Sequence, residues 1–145
     1  MTIREAEPAD RAALLDIWLR SVRATHTFLT EDDIQSLYPL VRDHALPALE
    51  LWVLCDGESL SGWMGLSASK LEALFLAPEF TGRGGGRALV KHARQLKGPL
   101  TVDVNEQNPE ALRFYEACGF EVCGRSETDD GGRPFPLLHM RERLS

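Results

Sequence analysis

Hydrophobic positions along this chain switch between two periods. Residues 2–6 form a short extended stretch. Leu14, Leu15, Trp18 and Val22 then recur at three-to-four spacing, the stripe of a helix with one buried face. Pro8 and Asp10 stand where that helix opens. Thr30 followed by Asp33 reads as a capping box. It predicts a second helix with Ile34, Leu37, Leu40 and Val41 turned inward, stopped by Pro47. The period then shortens. LWVLCD (51–56) has the β-branched and aromatic content of a strand, and Asp56-Gly57 is a hairpin turn signal. SLSGWMGLSAS (59–69) continues as its partner. KLEALFLA (70–77) is the third strand of the meander, ended by Pro78.

The second half alternates strands and helices. A glycine cluster at 82–86 runs into a helix that starts near Gly86. PLTVDVNEQ (99–107) is a strand. Asn108-Pro109-Glu110 opens a further helix, with Asn as cap, Pro at the first helical position and Glu against the positive helix end. That helix ends near Cys118, with Gly119 as its C-cap signal. FEVCGRSE (120–127) and FPLLHMRERL (135–144) are the last strands, joined by a loop around DDGGRP. The order β-α-α-β-β-β-α-β-α-β-β predicts an α+β (mixed α/β) sheet, parallel where a helix intervenes.

Length and composition narrow the class. The 145 residues suit one domain, 1–145, and 43% hydrophobic content is globular. The N-terminus has no apolar h-region, and no apolar run approaches a membrane span, so the chain reads as cytoplasmic. Cys55, Cys118 and Cys123 form no CxxC pair, which predicts free thiols in or near the core. His26, His44, His92 and His139 are scattered, and no metal site is expected. The formal charge of −6 argues against nucleic acid and anionic membranes as partners. That charge is uneven: residues 80–98 hold Arg83, Arg87, Lys91, Arg94 and Lys97 and no acid.

The basic stretch begins at the glycine cluster. Gly82, Gly84, Gly85 and Gly86 follow a strand and precede a helix, an arrangement suited to an anion such as phosphate. Arg87-Ala88 fails the Walker A pattern. Counting from Gly82, Arg87 also stands where a dinucleotide fingerprint needs its last glycine.

LEALFLAPEFTGRGGGRALVKHA resembles the acetyl-CoA-binding motif of the GCN5-related N-acetyltransferase (GNAT) superfamily, and NPEALRFYEACGF resembles its second hallmark. RSVRATHTFL, DVNEQN and GRSETDDGGRPFPLLHM resemble the YjaB-type bacterial subgroup. Thr81 stands where the family usually has Arg or Gln. Gly85 replaces the usual aliphatic residue, which predicts a looser loop.

The resemblance implies a central twisted mixed sheet of six or seven strands with about four helices. It also implies acetyl transfer from acetyl-CoA to a primary amine of a small molecule or peptide, by direct attack in a ternary complex, in a monomer or homodimer. A non-catalytic acyl-CoA-binding or sensing module on the same fold is the alternative. Leu74, Phe75 and Leu76 occupy the strand whose backbone meets pantetheine, with the Leu76 N–H as oxyanion donor. Thr81, Gly82, Arg83, Gly84, Gly85, Gly86 and Arg87 would hold the pyrophosphate, with Asn105 and Asn108 as further cofactor contacts. Tyr115 is the implied general acid. Glu72 is the first candidate base, two residues before Leu74 and so on its face by period two. Asp103 and His26 stand behind it. The acceptor groove draws on the first two helices and the last hairpin, which brings in Trp18, Arg23, His26, Phe28 and Arg133.

Overall fold

A computed structural model describes residues 1–143, so Leu144 of the expected last strand lies outside the described residues. Seven strands form one sheet in the order β1-β2-β3-β4-β5-β7-β6. They are β1 (Thr2–Glu5), β2 (Glu50–Asp56), β3 (Ser59–Ser67), β4 (Lys70–Leu76), β5 (Thr101–Asn105), β6 (Phe120–Ser126) and β7 (Leu137–Glu142). The helices are α1 (Arg11–Thr25), α2 (Glu31–Leu40), a single turn α3 (Leu46–Ala48), α4 (Gly85–Lys97) and α5 (Pro109–Ala117). The β4–β5 pair is parallel and the other pairs are antiparallel. The α+β expectation and the strand order of the meander hold.

The sheet is covered on both faces, so its central strands are apolar on both sides. Leu54, Met64, Leu71, Val102, Val104 and Met140 pack with Leu89, Val90 and Ala93 of α4 and Tyr115 of α5. Val53, Cys55, Trp63 and Ala77 pack on the other face with Leu14, Ile17, Trp18 and Val22 of α1 and Ile34 of α2. Trp63 ties sheet to helix by donating its indole N–H to the Leu14 carbonyl at 3.0 Å. Trp18 is 4% exposed and belongs to this core, not to an acceptor groove.

The second helix departs from expectation at its end. Its capping box is present: the Asp33 amide donates to Thr30 Oγ1 at 3.1 Å, and the Thr30 amide to Asp33 Oδ2 at 2.9 Å. Pro47 does not stop it. The helix loosens into a π turn at Val41–Ala45 and continues as α3, with Pro47 in the first turn, where its missing N–H costs nothing. The widening follows Pro39, which has no N–H for the helical ladder. Leu40, expected inward, is 40% exposed, because it stands six residues from Ile34 and so falls off the stripe of Ile34, Leu37 and Val41.

Strand β4 is irregular on both of its edges. It pairs with β5 only at Lys70↔Thr101 and Leu71↔Val102, and beyond that the strands part. Its register against β3 passes from Gly65↔Ala73 to Leu66↔Leu71, leaving Glu72 unopposed in a β-bulge. Leu71 and Leu74 therefore share one core although three residues apart. The period-two argument for Glu72 fails at this bulge.

Side chains bind the halves of the sheet. Lys70 Nζ lies 2.8 Å from Asp103 Oδ2, and His139 Nδ1 lies 2.7 Å from Asp103 Oδ1, linking β4, β5 and β7. Arg94 bonds Glu142 and the Cys118 carbonyl, and its guanidinium lies 5.6 Å from the Phe120 ring centroid, joining α4 to the end of α5, β6 and β7.

Burial pushes the Asp103 carboxyl up. The hydrogen bonds from Lys70 and His139 outweigh that and hold it below the usual carboxylate range. A depressed folded pKa contributes stability above the unfolded value, lost as pH falls through the folded value. A stability gap between wild type and Asp103→Asn is expected at pH 5, where the carboxylate is ionised in both folded and unfolded chains. It should shrink below the ordinary Asp pKa of ~3.9, as urea unfolding at each pH will show. Arg94→Met leaves a carboxylate and a carbonyl without their donor. The expected loss is about 2 kcal/mol, read as a lower urea midpoint at unchanged m.

Candidate active site

The parting of β4 and β5 opens a cleft of about 380 Å³. Leu71–Leu76 line it from β4, Val102–Asn105 from β5, and Asn108, Ala111, Phe114 and Tyr115 from α5. Ser21, Thr25 and His26 close it from α1. The direction of the β4 amides follows from pairing. The Ala77 N–H donates to the Ser61 carbonyl at 2.9 Å. In antiparallel alternation the Phe75 and Ala77 amides face β3, so those of Leu74 and Leu76 face the opposite side. There β5 has turned away, and both amides point into the opening.

The glycine loop sits at one end of this cleft. Gly82 and Gly84 adopt φ of +77° and +82°, a left-handed conformation that strains other residues. Gly84 is the N-cap of α4 and supplies no capping side chain, so the first-turn amides remain open to an anion. Gly85 does not loosen the loop. It is buried in the first turn, and a Cβ there would stand 2.7 Å from Leu54 Cδ2. At Gly86 a Cβ would stand 2.9 Å from Phe114 Cζ. These two glycines let α4 dock tightly on the sheet and on α5. Thr81 donates its hydroxyl to the Pro78 carbonyl at 2.9 Å and lines the cleft.

The basic stretch divides. Arg94 is committed to the fold, and Lys97 pairs with Glu50 at 2.8 Å. Arg83 lies 3.9 Å from Asp56 and against the Phe80 ring. Arg87 and Lys91 are exposed and have no carboxylate partner among the described residues. The cations free to meet a polyanion therefore sit at the loop and the first turns of α4.

Helix α5 brings its residues as expected. Asn108 caps it, its Oδ1 accepting from the Ala111 amide at 3.2 Å, and lines the cleft. Tyr115 is 8% exposed and packs edge-on against Phe114 and Phe120, with centroids 5.0 and 5.6 Å away. Its hydroxyl has no hydrogen-bond partner among the described residues, and burial pushes its pKa up, so the phenol keeps its proton. Asn105 ends β5 with its Oδ1 buried and without a partner. A hydrogen-bond donor brought into the cleft would meet an acceptor there.

An adjoining hollow of about 470 Å³ shares Leu71, Glu72, Asp103 and Asn105 with the cleft and adds Lys70, Asp129, Asp130 and Arg133. Glu72 lines both cavities and lies 3.5 Å from Lys70. Asp103 is bonded at both oxygens, which leaves it a weak proton acceptor. Arg133 lies 4.0 Å from Asp129. Phe28 stands between His26 and Phe135, with centroids 5.4 and 6.0 Å away, and Arg23 is paired with Glu31 at 2.9 Å. Sequence reasoning missed Thr25, Lys70 and Phe135. Thr25 was readable beside His26; Lys70 and Phe135 acquire their partners only across the sheet and loops. Cys55 is buried and Cys118 half-buried as expected, but Cys123 is exposed on β6.

Coenzyme A fits these residues: open amides and unpaired cations for its phosphates, a strand gap with two free amides, and an orphaned amide oxygen. Residues 47–122 match the acetyltransferase (GNAT) domain family. The peptidyl-lysine N-acetyltransferase YjaB of Escherichia coli is 44% identical over 97% of this chain and 95% of its own. The peptidyl-lysine N-acetyltransferase YiaC of the same organism is 32% identical, covering 91% of each chain. The solution structure of apo YjaB superposes with a TM-score of 0.91 over 99% of this chain and 98% of that one, at 42% identity. With this cleft, loop and helix in place, the chain belongs to the GNAT family of acetyltransferases.

Proposed function

We propose that this chain acetylates the ε-amine of lysine in a protein or peptide, drawing the acetyl group from acetyl-CoA by direct attack. Residues 1–145 act as one domain, and the reaction belongs in the cytoplasm, where three free thiols are at home. The observation that carries this reading is the pair of open Leu74 and Leu76 amides in the same cleft as the buried, protonated Tyr115.

Acetyl-CoA supplies the activated acetyl thioester. The first-turn amides of α4, with Arg83 and Arg87, bind its phosphates. The Leu74 backbone and Asn105 hold the pantetheine arm. The Leu76 N–H donates to the acetyl oxygen as charge develops there, a fixed dipole that needs no reorganisation. Tyr115 donates a proton to the departing thiolate, and burial keeps that proton on the phenol at neutral pH. The adjoining hollow carries four carboxylates, Glu72, Asp103, Asp129 and Asp130, against Lys70 and Arg133. That excess of negative charge supports a cationic acceptor, and two relatives bear the name peptidyl-lysine N-acetyltransferase.

The test is thiol release from acetyl-CoA with lysine peptides, checked by peptide mass. Turnover with a lysine peptide is expected, and acetyl-CoA binding without turnover on a broad amine panel overturns the reading. Tyr115→Phe is expected to lower kcat by about 100-fold with little change in KM for acetyl-CoA. Arg87→Ala is expected to raise that KM by about fivefold and leave kcat in place, the signature of a screened surface contact.

A further inference from the structure

His26 follows the last residue of α1 and forms one wall of the cleft. The Thr25 hydroxyl lies 2.8 Å from the Ser21 carbonyl and 2.8 Å from His26 Nδ1. A carbonyl only accepts, so the single hydroxyl proton goes to Ser21. Thr25 Oγ1 can then only accept from the imidazole. Nδ1 therefore carries the ring proton, and Nε2 is left with a lone pair. Phe28 packs against the ring on one side and is itself backed by Phe135.

We propose that His26 Nε2 is the general base that takes the proton from the acceptor amine, with Thr25 the positioning residue that holds its tautomer. The inference rests on the acetyl-transfer reading above. The step balances. His26 takes one proton from the ammonium; the freed nitrogen lone pair forms the C–N bond as the thioester C–S bond breaks; Tyr115 returns one proton to the thiolate. His26 and Tyr115 then exchange protons with solvent.

The surroundings suit a neutral imidazole. Burial lowers the His26 pKa below its ordinary value. Glu72 from β4, Asp103 from β5 and Glu110 from α5 line the same cleft, and none forms an ion pair with His26 among the described residues. Arg133 of the loop before β7 is turned to Asp129, and Arg23 and Glu31 to each other. The other base candidates lack this combination: Asp103 is bonded at both oxygens, and Glu72 lies beside Lys70.

The experiment measures kcat against pH for the full chain with acetyl-CoA and a lysine peptide. Wild-type kcat is expected to fall on an acid limb below His26's depressed pKa, where the imidazole becomes charged. His26→Ala and His26→Gln should each lower kcat by about 100-fold at unchanged KM for acetyl-CoA. Both should replace that limb with a rise toward the lysine pKa of ~10.4. Added imidazole should restore part of the His26→Ala rate. Thr25→Val should lower kcat roughly tenfold, and Thr25→Ser should restore it. His26→Gln keeps a side chain of similar reach and serves if the alanine variant unfolds. Folded His26 variants with wild-type kcat and the same acid limb overturn the inference while leaving acetyl transfer intact. A loss without imidazole rescue and with the limb unmoved marks a structural role and also overturns it. A wild type that binds acetyl-CoA and acetylates no amine overturns the underlying reading instead.

Discussion

β4 and β5 pair at two positions and then part, and the site depends on that separation. A parallel pair carried through to Leu76 would spend the Leu74 and Leu76 amides on β5. The gap leaves them without strand partners and turned to a cleft, at a cost ordinarily too high for central strands. The molecule confines that cost. Lys70, Asp103 and His139 clamp the strands where pairing ends, and β7 completes β5 on its other edge. The bulge at Glu72 sits just beyond the last paired position, where β4 bends away. Leu71 remains in the α4–α5 core while the strand beyond it lines the opening.

The charge distribution becomes functional only once internal pairs are removed. Five cations without an acid between them suggest one basic face, but Arg94 and Lys97 serve the fold. What remains is concentrated at the amino end of α4, where open amides already favour an anion. In the adjoining hollow the same subtraction leaves Asp130, because Asp103 pairs with Lys70 and His139, Glu72 lies 3.5 Å from Lys70 and Asp129 lies 4.0 Å from Arg133. The amino end of α4 is thus the part of the cleft whose charge suits a polyphosphate.

How much was legible depends on the range of each interaction. The Thr30–Asp33 capping box and the Asn108 cap are set by residues within three positions of each other, and both are present as read. The order of strands came from periodicity and turn residues, and the fold class from that order. The bulge at Glu72 was not legible, because it exists only relative to β3. The structural role of Arg94 within the basic stretch was not legible, because its partners lie 24 and 48 residues away. Gly85 looked like slack in a loop because Leu54 and Leu76 come beneath it only when α4 docks. The family motif pointed to the loop and to Tyr115, whose neighbours are local, and was least informative about the acceptor side, where α1, β4, β5 and the loop before β7 converge.

One physical effect sets both ends of the proposed proton path. Burial disfavours charge of either sign. For a phenol that means retaining a proton, so Tyr115 is held as an acid. For an imidazole it means shedding one, so His26 is held as a base. Burial is the first cause at both groups, with Cys118 adding to it at Tyr115, whereas at Asp103 hydrogen bonds override burial. The same burial thereby prepares the donor and the acceptor of protons. The tautomer is the one thing burial cannot choose. Thr25 supplies that choice through the bond it makes to Ser21, inside the last turn of α1.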